Sequence, residues 1–334
     1  MRLARIERMF YRARMAPEPL FEIARRRFDT PEFRGMEFIE AECKTIINHV
    51  PGNYLPFNWS INPYRGCSHA CRYCFARPTH TFLDMNAGSD FEKKIVVKVN
   101  APEVLRRQLA AKRWKGEGIA MGTNTDPYQR AEGRYRLMPG IIRALTDYRN
   151  PFSILTKGTL ILRDLELLVE AARVTDVSTA LSIGTLDEAA WRASEPGTPH
   201  PHKRIEAVRA LNEAGIPCGV LMAPILPGIT DDPRQLREVV AAAIDAGATH
   251  VSPILLHLRP GVREEFLPWL AETHPDLVEH YEELYRRPYA PAECLSGLIR
   301  SLGGVRPAPA PPSRFSGRSR GDRGAAQGEQ LTLV

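Results

Sequence analysis

From Lys93 onward, short runs rich in β-branched and aromatic residues alternate with longer stretches whose apolar positions recur every three or four residues. The short runs predict strands at Trp59–Pro63, Ile119–Gly122, Phe152–Thr156, Val177–Ile183, Cys218–Ile225 and Val251–Leu256. The amphipathic stretches predict helices at Pro102–Trp114, Pro139–Tyr148, Arg163–Ala172, Lys203–Ala214 and Asp232–Ala246. Gly215 and Gly247 directly follow two of these helices, at the position where a left-handed cap suits glycine best.

Strand–helix alternation of this kind builds a parallel sheet from βαβ units. Six strands fall short of the eight of a closed TIM barrel, and periodicity alone leaves an incomplete barrel and an open doubly wound sheet both standing. In either case chemistry belongs at the C-terminal edge of the sheet, where strands run into helices. Two more helices, near Gly261–Glu272 and Pro275–Arg287, are expected to pack beyond the last strand. Between 303 and 330 the chain is rich in Gly, Pro, Ser and Arg, with Phe315 almost its sole large apolar residue, so this stretch is expected to be flexible. The chain thus divides into an N-terminal basic extension (1–55), a core (56–260), C-terminal helices (261–302) and a flexible tail (303–334).

Of the 334 residues, 43% are hydrophobic and 25% charged, which permits a sizeable core and excludes wholesale disorder. No apolar run approaches a membrane span, and Glu7, Glu18 and Glu22 interrupt the N-terminus in a way a secretory signal does not, so a cytoplasmic protein is expected. The formal net charge of +6 is unevenly placed. Eight Arg lie in the first 27 residues, and Arg306, Arg314, Arg318, Arg320 and Arg323 lie in the tail, leaving a mildly acidic body. Basic ends of this kind follow phosphates by counterion release, or simply stay solvated.

Three of the six cysteines, Cys67, Cys71 and Cys74, crowd into eight residues, a spacing that suits metal or redox chemistry in a reducing compartment rather than a disulfide framework. The stretch INPYRGCSHACRYCF leaves the first predicted strand with the spacing C-x3-C-x2-C. Three thiolates on one short loop can surround a compact soft-metal centre while leaving one position open for a substrate or cofactor. The competing arrangement is a Cys3His zinc site completed by His69 or His80.

The loop C-x3-C-x-aromatic-C after the first strand, followed by βα repeats, resembles that of the radical S-adenosylmethionine (SAM) superfamily. INPYRGCSHACRYCFARPTH, GTNTDPYQ and EPGTPHPHKR are similar, more narrowly, to bacterial spore-photoproduct-lyase-like and DNA-repair-photolyase-like proteins. The resemblance spans roughly 56–260 and implies an α/β fold of the partial (β/α)6 TIM-like barrel type. It implies that Cys67, Cys71 and Cys74 ligate a 4Fe-4S cluster whose open iron is chelated by SAM, and that a low-potential electron cleaves the sulfonium to give a 5′-deoxyadenosyl radical. It further implies that Tyr73 lies against the adenine, that the turn bearing Thr123, Thr125 and Asp126 receives the cofactor's ammonium, and that Lys157 and Ser182 hold its carboxylate. A flavodoxin- or ferredoxin-type electron donor and a nucleic-acid substrate follow from the same resemblance.

Glu195, His200, His202, Arg204, His257 and Arg259 are expected at the mouth without an assigned step, and Met222 and Leu255 as core residues or adenosine walls. Spore photoproduct lyase returns hydrogen from a cysteine near the end of its second strand; this chain has none between Cys74 and Cys218. Tyr64, Tyr128 and Tyr135 are candidate relays in its place. The last five residues, Gln330-Leu-Thr-Leu-Val334, resemble a sliding-clamp-binding peptide. Two other readings share these features: a non-catalytic, metal-stabilised nucleic-acid or clamp adaptor, and an RNA-modifying radical SAM enzyme.

Overall fold

The computed structural model describes residues 24–52 and 55–301. The tail and its clamp-like peptide, and most of the N-terminal basic segment, lie outside the described residues. Eleven strands are present among the described residues: β1 (Ala24–Arg26), β2 (Glu37–Ala41), β3 (Ile47–His49), β4 (Trp59–Ile61), β5 (Tyr64–Arg65), β6 (Lys94–Lys98), β7 (Ile119–Met121), β8 (Phe152–Thr156), β9 (Val177–Ser182), β10 (Cys218–Ile225) and β11 (Val251–Leu255).

The principal sheet has the order β11-β10-β9-β8-β7-β4-β3. β4, β7, β8, β9, β10 and β11 are successive parallel neighbours in chain order, the arrangement of a partial (β/α)6 barrel, and β3 closes the far edge antiparallel to β4. Helices return the chain between strands; in β7 Ile119, Ala120 and Met121 are consecutive and all buried, while β8 alternates buried and half-buried positions. Among the described residues no helix is long and apolar enough to cross a membrane.

Side-chain caps open the predicted helix at Pro233 and one the periodicity did not mark, at Glu188. Asp232 accepts from the Arg234 N–H at 2.7 Å to open Pro233–Asp245, and Asp187 does the same for Ala190 ahead of Glu188–Ser194. Gly215 (φ +80°) and Gly247 (φ +76°) take the left-handed conformation expected of them. The first predicted helix runs from Ala101 to Leu109 and stops short of Trp114, whose indole turns back to Asn150 Oδ1 at 2.7 Å. The helix expected from Arg163 starts at Leu165, after a 3-10 turn over Thr159–Asp164.

A second sheet, β1-β2-β6-β5, is absent from the periodicity reading. The strand expected at Trp59–Pro63 splits at Asn62-Pro63: β4 pairs in the large sheet, and β5 crosses to pair antiparallel with β6. Proline lacks the N–H needed to continue a ladder, so the chain changes sheets there. The small sheet and the turn beside it gather Phe28, Phe33, Phe38 and Tyr135 into one aromatic cluster in which Phe33 and Phe38 are buried. Beyond β11, helices Arg263–Thr273 and Val278–Leu284 pack Phe266, Trp269, Tyr281 and Tyr285 into a cluster that also contains Cys71 and Tyr73.

Candidate active site at the three-cysteine loop

β5 delivers the chain into the cysteine loop through Gly66, whose φ of +80° and tight surroundings exclude a side chain: a Cβ there would meet His80 and the Phe91 carbonyl at 2.9 Å. The Cys67 N–H donates to that same Phe91 carbonyl at 2.9 Å. The buried Arg77 clamps the loop from inside, its Nε and NH2 on the Cys71 carbonyl at 3.1 and 2.9 Å and its NH2 on Glu92 at 2.5 Å.

Two distant segments complete the grip. From the turn after β7, the buried Gln129 donates to the Gly66 carbonyl at 2.9 Å and accepts from the Ser68 N–H at 3.0 Å. From the loop after β9, the Ser194 carbonyl accepts from the Arg72 N–H at 2.9 Å, and the Gly197 N–H donates to the His69 carbonyl at 3.0 Å. A side chain on Gly197 would fall inside contact with the Ser68 carbonyl. Gln129 and Gly197 escaped the sequence reading because their partners are backbone atoms far away in the chain, and Arg77 because the carbonyls it bonds carry no side-chain pattern that would mark them.

Cys67 and Cys71 are buried and Cys74 half-buried, all as free thiols. Burial first, and then the charge of Glu195, push the Cys71 thiol up to about 12 against the opposing pull of Lys157. Cys67 also stands well above the ordinary thiol value, through burial first and then the charges of Asp126, Cys74 and Cys71. Buried thiols held together without a disulfide match the donor set of a soft-metal or iron–sulfur group, which binds them as thiolates. Among the described residues no group of three or more His, Cys, Asp or Glu is placed to hold a single metal ion, and each histidine weighed for a zinc site has one ring nitrogen beside another polar group. His69 Nδ1 faces Asp126 Oδ2 at 3.3 Å, and His80 Nε2 lies 3.0 Å from the Lys94 carbonyl.

The ends of β8 and β9 meet this loop at Glu195. Its carboxylate accepts from Lys157 Nζ at 3.0 Å, from Arg204 NH2 at 2.5 Å, from Thr198 Oγ1 at 3.2 Å and from the Tyr73 phenol. Burial pushes Glu195 up, but Arg204 and Lys157 outweigh it and hold the carboxyl well below its usual range. Lys157 Nζ also donates to Ser182 Oγ at 2.8 Å and sits 5.5 Å from the centre of the Tyr73 ring. Tyr73, Lys157 and Ser182, three residues singled out from sequence, are therefore in one constellation, joined by Glu195 and Arg204.

The turn after β7 is placed beside them but is largely committed to its own shape. Asp126 Oδ1 accepts from the Tyr128 N–H at 2.8 Å and Thr156 Oγ1 at 2.5 Å, and Oδ2 accepts from the Lys157 N–H at 2.6 Å. Thr125 is buried and its hydroxyl donates to the Tyr64 carbonyl, whereas Thr123 is half-buried.

The other mouth residues separate. His200 stacks on His202 with centroids 5.4 Å apart, and His257 and Arg259 both pack on Tyr289. Met222 and Leu255 are buried in the main core. The candidate relay tyrosines are spoken for: Tyr64 donates to Glu132, Tyr128 to Asp164 and Tyr135 to Glu40. A cleft of about 670 Å³ adjoins the site, lined by His69, Tyr128, Gln129, Arg130, Arg134 and Phe28 among others.

This loop, the parallel sheet that carries it and the order of its strands define the radical SAM class of fold and site. The radical SAM family model matches residues 61–240, and the chain belongs to the radical SAM superfamily. An uncharacterized protein of Mycobacterium tuberculosis is 50% identical over 291 residues, 84% of this chain and 86% of that one. Another from Methanocaldococcus jannaschii is 31% identical over 198 residues, 59% of this chain and 70% of that one. Among solved structures the chain is similar to a spore photoproduct lyase mutant with bound AdoMet and dinucleoside spore photoproduct (TM-score 0.58, 17% identity, 75% of this chain and 74% of that chain). A further spore photoproduct lyase mutant gives a TM-score of 0.60 at 14% identity, covering 90% of this chain and 89% of that chain. At these identities the likeness is one of fold.

Proposed function

We propose that the protein reductively cleaves SAM at a 4Fe-4S cluster held by Cys67, Cys71 and Cys74, and takes a hydrogen atom from a nucleic-acid substrate. The observation that carries this reading is the meeting of three free thiols with the Lys157–Ser182–Glu195–Tyr73 constellation at one edge of the parallel sheet. When bound, the cluster and sulfonium together supply a low-potential electron and a 5′-deoxyadenosyl radical.

The chain's own residues supply placement and enclosure. Lys157, with Ser182 beside it, offers a half-buried ammonium and a hydroxyl to the sulfonium's carboxylate. Tyr73 presents its ring beside the cysteines, and in the turn after β7 the half-buried Thr123 offers its hydroxyl oxygen to an ammonium, while Thr125 and Asp126 are bonded within the protein and hold that turn in shape. Burial keeps water away, so that a reactive group meets only the hydrogen positioned for it. The proposed core, 56–260, contains the whole of the stretch matched by the family model.

For the substrate, the adjoining cleft combines two guanidinium groups with aromatic rings, and Arg134 lies over the Phe28 ring at 4.4 Å. Guanidinium and aromatic faces together suit phosphate and unstacked base. The fold shared with spore photoproduct lyase supports the same substrate class. Anaerobic reconstitution followed by dithionite should release 5′-deoxyadenosine, and a deuterated oligonucleotide substrate should pass label into it. A colourless, zinc-loaded protein would reject the reading.

A further inference from the structure

Holding an anionic amino-acid tail calls for buried cations, yet cations close to an iron–sulfur group make it easier to reduce and so a weaker reductant. Lys157 and Arg204 both lie at the cysteine loop, and Glu195 is bonded to both. We propose that Glu195 is a positioning residue that fixes Lys157 for a carboxylate while offsetting the two cations, thereby keeping the reduction potential of the group bound at Cys67, Cys71 and Cys74 low. This rests on the proposed function.

The geometry sets Glu195 against the loop from both sides. Its predecessor Ser194 accepts from the Arg72 N–H at 2.9 Å, and Gly197 donates to the His69 carbonyl at 3.0 Å, so residue 195 faces the segment that contains Cys71. Its carboxylate also takes the phenol of Tyr73, two residues beyond Cys71. Arg204 is pinned by the Ser182 carbonyl at 2.8 Å, the Pro199 carbonyl at 2.9 Å and Thr198 Oγ1 at 2.7 Å, and it cannot swing away. Lys157 is similarly held by Ser182 Oγ and, at 3.4 Å, by the Ala223 carbonyl. With Glu195 ionised, the trio of Lys157, Arg204 and Glu195 carries one net positive charge; without it, two positive charges stand at Cys71. A simple structural salt bridge would need only one of the two cations. Sharing the carboxylate between both, and adding the Tyr73 phenol, ties the charge balance to the loop itself.

The test compares wild-type protein with E195Q, E195D and K157M after anaerobic iron–sulfur reconstitution, by redox titration with an electron paramagnetic resonance readout and no sulfonium present. E195Q is expected to raise the reduced-to-oxidised ratio at fixed ambient potential about tenfold, or about 59 mV for a one-electron couple. K157M is expected to shift it the opposite way, and E195D, which keeps the charge, to stay near wild type. An unmoved E195Q midpoint, or shifts of the same sign in E195Q and K157M, would overturn the inference. Should E195Q fail to take up iron, K157M and R204Q must each lower the midpoint, and their failure to do so overturns it as well. A wild-type protein with no iron–sulfur centre would instead sink the proposed function.

Discussion

The backbone N–H of Lys157 donates to Asp126 Oδ2 at 2.6 Å, so the turn that closes β7 fixes the residue that ends β8. Asp126 also takes the Thr156 hydroxyl, the Tyr128 N–H and the edge of His69, and is thus a tie between neighbouring strand ends. Asp126→Ala strands these buried donors and is expected to cost about 3–5 kcal/mol, read from the urea midpoint at unchanged m-value.

Arg77 is a second tie, and its fork is what matters. Lysine cannot serve the Cys71, Ala87 and Gly88 carbonyls and Glu92 at once. Arg77→Lys is therefore expected to destabilise by about 2–4 kcal/mol and to reduce iron uptake on reconstitution, measured by thermal unfolding and iron content.

At Gly197 the constraint is space alone. Gly197→Ala must push the Ser68 and His69 backbone aside, at about 1–3 kcal/mol, and should lower cluster occupancy while leaving far-ultraviolet circular dichroism unchanged.

Lys157→Met removes a cation but little volume. The reconstituted protein should keep its visible absorbance while SAM affinity falls about tenfold or more, by equilibrium dialysis. Ser182→Ala should weaken affinity less, because Lys157 retains Glu195 and the Ala223 carbonyl.

Stability should also carry a pH signature from Lys98. Burial, and then the charge of Arg65, lowers its ammonium from the ordinary 10.5 to about 8. Between those values the unfolded chain still holds a proton that the folded chain has released, so stability rises as pH goes from about 8 toward 10.5. Lys98→Met, which also gives up the bond from Nζ to the Asn62 carbonyl, is expected to flatten that rise, measured by urea unfolding across the range.

The six parallel strands were legible because each is a short apolar run between amphipathic helices, and the cysteine loop because three like residues share one local spacing. Lys157 and Ser182 entered through the family resemblance, which expects a lysine and a serine at the ends of two neighbouring strands. The small sheet was not legible: β5 is two residues long, and only the tertiary partner β6 makes Tyr64–Arg65 a strand. Nor was the hub at Glu195, since its partners Tyr73 and Lys157 lie 122 and 38 residues away and no local pattern encodes such a meeting.

The cysteine loop is gripped by Arg77 from within, by Gln129 from one strand's turn and by Ser194 and Gly197 from another's. All of these bonds are made by protein alone. The spacing of Cys67, Cys71 and Cys74 therefore answers to substitutions in the turn after β7 and the loop after β9 as much as to those within the loop itself.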